Sequence, residues 1–172
     1  ALGLATPVAI MVGSGVGAKN GLLFKTAASL EQAGKTQIVV LDKTGTITEG
    51  APRVTEVLPA AGTGEQTLLT LALSLEKKSE HPLAGAIVKR AEELGLSPRE
   101  VTDFAALPGN GLTAKLDGQS LCGGNEAFIR SHAALPEQAI RQAQALAQAG
   151  KTPLYFSLGG TFLGMIAVAD VI

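Results

Sequence analysis

Four aliphatic residues in a row, Ile38-Val39-Val40-Leu41, end on a carboxylate, Asp42. A short unbroken apolar run is the pattern of a strand buried on both faces, as in a parallel sheet. Open α/β sheets place their chemistry outside the carboxyl ends of their strands, so an α/β unit with Asp42 at its working edge is predicted. The next residues, Lys43-Thr44-Gly45-Thr46, suit phosphate chemistry. A carboxylate so placed can attack phosphorus and form an aspartyl-phosphate. Gly45 lets the backbone approach phosphate oxygens. The hydroxyls of Thr44 and Thr46 can donate to those oxygens, and Lys43 supplies a cation. Mg2+ is needed to bridge carboxylate and phosphate, with Asp42 and Thr44 as its ligands. Thr44 also stands where a simple phosphatase would want a second acid to protonate the leaving group. A phosphoenzyme that persists until some other group hydrolyses it is therefore expected.

After Gly50 the pattern changes. Arg53 to Leu58 reads as a strand, and Leu68, Leu71, Ala72 and Leu75 recur at helical spacing. Pro82 is a good first-turn residue for a second helix running to Gly95. Strands are predicted over 104–107 and 112–116, on either side of the turn Pro108-Gly109-Asn110-Gly111. Asp117-Gly118 signals a hairpin returning through 119–122. A short helix over 125–131, a helix over 136–150 and a hairpin around Gly159-Gly160 complete the reading. Strands next to strands imply an antiparallel sheet with helices packed on it, an α+β unit inserted into the α/β one. Apolar residues make up 46% of the 172 residues and aromatics only 3%, so the core must be built from Ala, Leu, Val and Ile.

Fourteen basic residues face fifteen acidic ones. No basic excess exists to release counterions from a nucleic-acid backbone, and that partner class is excluded. The one cysteine, Cys122, rules out an internal disulfide and reads as a small buried core residue. Its spacing from His81 and His132 fits no familiar metal pattern. Gly13-Ser14-Gly15-Val16-Gly17-Ala18 loosely fits a dinucleotide fingerprint but follows a helix-like run, not a strand, and is rejected.

Both ends read as cut. Ala1 to Val16 is apolar and uncharged, and Lys19 and Lys25 follow it. A signal peptide has the reverse order, and a full span needs about 20 residues. The segment reads as the last half of a membrane span emerging where lysines accumulate, or as a buried core helix. Residues 1–18 are expected to be helical, with Pro7 kinking the helix or opening a new turn. A helix over 26–33 with Gly34 as its cap is expected to follow.

Asp42 to Thr46 matches the phosphorylation motif of P-type ATPases, and the chain resembles their heavy-metal-transporting group throughout. Ala1 to Phe24 looks like the stretch that follows that group's Cys-Pro-Cys ion motif. Met11-Val12-Gly13 and Gly17-Ala18-Lys19-Asn20-Gly21 resemble the copper-exporting branch more than the zinc and cadmium branch. Ser79-Glu80-His81-Pro82-Leu83, Pro108-Gly109-Asn110-Gly111 and Gly124-Asn125 resemble the group's nucleotide-domain motifs.

The resemblance implies the end of a transmembrane helix (1–20), the start of a phosphorylation domain (21–49), a nucleotide-binding domain (50–168) and a return to the phosphorylation domain (169–172). It implies ATP held by Glu76, His81, Gly109, Gly111, Gly124 and Asn125, with Glu76 and His81 on the adenine. The glycines admit the nucleotide against the backbone, though Gly109 and Gly111 also suit a turn and Asn125 also suits a helix cap. It further implies Cu+ as the transported ion and a multi-pass plasma-membrane protein whose portion here faces the cytoplasm. Two alternatives stand beside this reading: a soluble aspartate-nucleophile phosphatase, and an ATP-binding module without turnover.

Overall fold

The computed structural model describes residues 2–42, 46, 48 and 50–170. It divides into two compact units, Ala1–Leu41 and Asp42–Ile172.

In the first unit, helix α1 (Leu2–Lys19) carries Pro7 inside it. Helix α2 (Ala27–Gly34) begins at Thr26, whose hydroxyl accepts from Ser29 N at 3.1 Å. Its cap is Lys35, in right-handed conformation; Gly34 is still helical, so the glycine cap expected there is not used. Among the described residues no helix is long and apolar enough to cross a membrane.

The strand expected at 38–41 is absent. Ile38 is 81% exposed and Val40 90% exposed, and no described residue pairs with the run. A doubly buried strand exists only between two neighbouring strands; without them its apolar side chains have nothing to pack on.

The second unit is built on one six-stranded sheet. Its strands are β1 (Pro52–Pro59), β2 (Thr102–Leu107), β3 (Gly111–Leu116), β4 (Gln119–Gly124), β5 (Thr152–Leu158) and β6 (Thr161–Asp170), ordered β1-β6-β5-β4-β3-β2. Every neighbouring pair is antiparallel. Helices α3 (Glu65–Glu76) and α4 (Pro82–Glu93) contribute to one core cluster; α5 (Glu126–Arg130) and α6 (Glu137–Gln148) contribute to the other.

Strand β6 shows why both clusters exist. Leu163, Ile166 and Val168 join the first cluster, and Phe162, Met165 and Ala167 join the second. Side chains alternate across a strand, and the irregularity opposite Phe156 and Ser157 shifts that alternation by one residue between Leu163 and Met165, so one apolar run serves two helical layers. At the β3–β4 turn, Asp117 and Gly118 both have positive φ (49° and 80°), the geometry of a tight two-residue hairpin.

Two features of the sheet position the functional residues. The β2–β3 turn and the end of β4 lie side by side, with Gly111 opposite Gly124. At the other edge, Asp170 at the end of β6 accepts from Ala51 N at 3.1 Å and from the Thr48 hydroxyl. That carboxylate ties the segment entering the sheet to the segment leaving it.

Candidate functional site

A cavity of about 460 Å³ opens where the C-terminus of α3, the N-terminus of α4, the β2–β3 turn and the end of β4 meet. Its size is in the range that holds a nucleotide-sized ligand. Glu76, His81, Gly109, Gly111, Gly124 and Asn125 all line it. Five of these positions are spread over three separate sequence motifs, Glu76 lies outside all three at the end of α3, and the fold brings the six to one place.

Glu76 is the last residue of α3 and only 6% exposed. Burial raises its carboxyl from 4.5 to about 7, with no neighbouring charge offsetting the loss of water. Such a group is close to half protonated near neutrality, and it can accept a hydrogen bond in either form.

His81 caps α4. Its Nδ1 accepts from Leu83 N at 3.2 Å, its own N donates to Ser79 Oγ at 3.2 Å, and Pro82 occupies the first helical turn. A backbone donor on Nδ1 leaves the proton of the neutral ring on Nε2. The ring is thus held in one tautomer, and the cap and the cavity wall are made by the same side chain.

The glycines differ from one another. Gly109 has φ +76°, and a side chain there would meet nothing within 4 Å; glycine serves the turn. Gly111 and Gly124 are glycine because two backbones touch. A Cβ on Gly111 would lie 2.2 Å from Gly123 O, and one on Gly124 2.4 Å from Asn110 O.

Asn125 caps α5 by accepting from Phe128 N at 2.8 Å, and its side-chain Nδ2 donates to Gly109 O at 2.9 Å.

The remaining walls were not anticipated. Leu83, Ala106, Leu112 and Leu154 supply apolar surface, and Ser79, Asn110 and Thr152 supply further polar groups. Ser79, Leu83 and Asn110 sit inside the motifs themselves and could have been found there. Ala106, Thr152 and Leu154 carry no local signal; they reach the cavity only through the sheet order. Among the described residues lining the cavity none is Lys or Arg. The charged or titratable side chains of that lining are Glu76, Glu80 and His81.

Of the residues expected around the acceptor, Asp42 and Thr46 are described and both are exposed. Lys43 and Thr44 lie outside the described residues. No group of three or more His, Cys, Asp or Glu among the described residues is arranged to hold a metal ion.

An antiparallel sheet layered with helices, a nucleotide-sized cavity and a preceding aspartate motif agree with what comparison finds. The chain belongs to the haloacid dehalogenase-like hydrolase family, whose model matches residues 36–172. Within it, the similarity runs to metal-transporting P-type ATPases. The chain is 44% identical over 170 residues to a copper-transporting P-type ATPase of Rhizobium leguminosarum bv. viciae, covering 99% of this chain and 20% of that protein. It is 41% identical over 170 residues to a silver exporting P-type ATPase of Salmonella typhimurium, covering 99% and 21%. Among solved structures, a zinc-transporting PIB-type ATPase in its E2.Pi state superposes with a TM-score of 0.80 at 36% identity, over 97% of this chain and 27% of that one. The N-domain of HMA8, a copper-transporting P-type ATPase, matches with a TM-score of 0.58 at 28% identity, over 68% of this chain and 98% of that one. The chain spans about a fifth of the length of the curated relatives it matches. A soluble phosphatase would share the family model, but similarity over the whole chain to P-type ATPases favours the transport reading.

Proposed function

We propose that this chain is the ATP-binding and phosphoryl-accepting part of a heavy-metal-exporting P-type ATPase, with Cu+ as the exported ion. The observation that carries the reading is the convergence of Glu76, His81, Gly109, Gly111, Gly124 and Asn125 on one cavity. The ion rests on the sequence likeness to copper and silver transporters. The longer protein would lie in the plasma membrane with this part on the cytoplasmic side, and α1 would be the cytoplasmic end of a span.

Adenine enters the cavity against Leu83, Leu112 and Leu154. The Nε2–H of His81 donates to a ring nitrogen, and the Glu76 carboxylate accepts from the exocyclic amine. Lys43 and the backbone around Gly45 are the proposed partners of the phosphates. An Asp42 carboxylate oxygen attacks the γ-phosphorus; that O–P bond forms as the bond from phosphorus to the β–γ bridging oxygen breaks, and ADP leaves with the electron pair. The exposed Asp42 carboxylate is a hard oxygen ligand of the kind Mg2+ takes, and Asp42 and Thr44 are the proposed holders. When bound, Mg2+ neutralises charge between carboxylate and phosphate.

Calorimetric titration with ATP tests the pocket. His81→Asn keeps a capping acceptor for Leu83 N but removes the imidazole. About tenfold weaker binding, with the thermal midpoint little changed, is expected. Equal affinity in the variant, or no binding by the parent chain, would remove the assignment.

A further inference from the structure

We propose that Asn125 is a positioning residue: it clamps the 108–111 turn into the shape the nucleotide meets, and it does not itself touch the nucleotide. The inference rests on the ATP reading of the cavity.

Both functional atoms of this amide have partners within the protein. Oδ1 accepts from Phe128 N at 2.8 Å, and Nδ2 donates to Gly109 O at 2.9 Å. Its backbone N donates to Asn110 O at 3.0 Å. One residue therefore satisfies two consecutive carbonyls of the turn and one orphan N–H of α5. An amide side chain has two donor hydrogens and two acceptor lone pairs; one of each is committed here, to Gly109 O and Phe128 N, which fixes the side chain between the turn and α5.

The turn needs such a clamp. Its neighbour β2 is the edge strand of the sheet, and five of its six residues are exposed. A bulge interrupts β2 between Thr102 and Ala105. Inside the turn, Asn110 N donates to Leu107 O at 3.0 Å, and Gly109 holds a positive φ. A glycine-centred turn on an exposed edge is free to populate other conformers, and each lowers apparent affinity in proportion to its population. Asn125 joins that turn to α5, whose Phe128 and Ile129 lie in the second core cluster. The clamp thus transmits the rigidity of the core to the cavity rim.

Two substitutions separate the clamp from the cap. Asn125→Ser and Asn125→Asp each keep an oxygen to accept from Phe128 N, because Ser, Asp and Asn cap helices about equally well. Neither can donate to Gly109 O in the geometry of Nδ2.

The experiment is amide hydrogen exchange on the nucleotide-free 172-residue chain, paired with ATP titration of each variant. The expected result has three parts: exchange at Asn110 accelerates at least about tenfold, Phe128 stays protected, and ATP affinity falls about fivefold. If affinity falls while the turn keeps its protection, Asn125 touches the nucleotide directly and the proposal is overturned. Unchanged affinity in both variants also overturns it. If the parent chain binds no ATP, the reading of the cavity fails and this role fails with it, a result distinct from the other two.

Discussion

Gly111→Ala is expected to cost the fold about 3 kcal/mol, the upper end for overpacking, and to abolish nucleotide binding. The added Cβ would lie 2.2 Å from Gly123 O, 2.8 Å from Gly124 Cα and 2.8 Å from Phe128 Cδ1. Two of these three obstacles are backbone, and both belong to a strand held in register with β3 from Gly111–Gly124 to Leu116–Gln119. A flexible side chain could rotate away; a paired strand cannot. Relief requires β3 and β4 to part at the cavity, which displaces Gly109, Gly111 and Gly124 together. Gly85→Ala is the control. Gly85 lies within α4, where a Cβ meets nothing within 4 Å, so alanine should stabilise by about 0.5–1 kcal/mol. Urea denaturation of both variants measures the contrast. A Gly111→Ala protein within about 1 kcal/mol of the parent would show that the strands can yield.

The second large effect is a pH dependence centred on Glu76. Its carboxyl titrates at about 7 in the folded chain against 4.5 when solvated. Below about pH 4.5 the group is neutral in both states and burial carries no ionic penalty. Between 4.5 and 7 the unfolded chain releases this proton while the folded chain retains it. Stability therefore falls as pH rises through that window, and levels off above 7. The whole loss is about 3 kcal/mol. Glu76→Gln keeps the shape and an accepting oxygen but cannot ionise. The stability difference between Glu76→Gln and the parent should grow by about 3 kcal/mol in favour of Gln from pH 4.5 to 8. Parallel stability profiles would mean that the carboxylate stays solvated. Glu80 and His81 also line the cavity, so the comparison between variants, and not the parent profile alone, isolates Glu76.

Much of the second unit was legible because its signals are local. Pro82 begins α4, Asp117 and Gly118 form the hairpin they announce, and the apolar run of β6 is buried on both faces. The cavity residues were legible as motifs, not as geometry. Nothing in the spacing of Gly111 and Gly124 says that each is glycine because the other strand's backbone fills its Cβ position. Gly123 was missed for the same reason; a Cβ there would strike Phe156 and Leu75, which come from distant segments. The bond between Thr48 and Asp170 joins residues 122 apart and leaves no periodic trace. The run 38–41 failed in the opposite direction. Its pattern is that of a strand between two others, and pattern alone cannot supply the neighbours. Gly34 likewise satisfied the composition of a cap while the helix ended one residue later, at Lys35.

The proposed function needs one cavity and one carboxylate to act together, and the covalent intermediate tests it most directly. Full-length protein incubated with ATP labelled in the γ-phosphate should form an acid-stable, hydroxylamine-sensitive phosphoenzyme. Asp42→Asn should form none, and His81→Asn should require about tenfold more ATP to reach half the label. A phosphoenzyme that persists in Asp42→Asn would contradict the account.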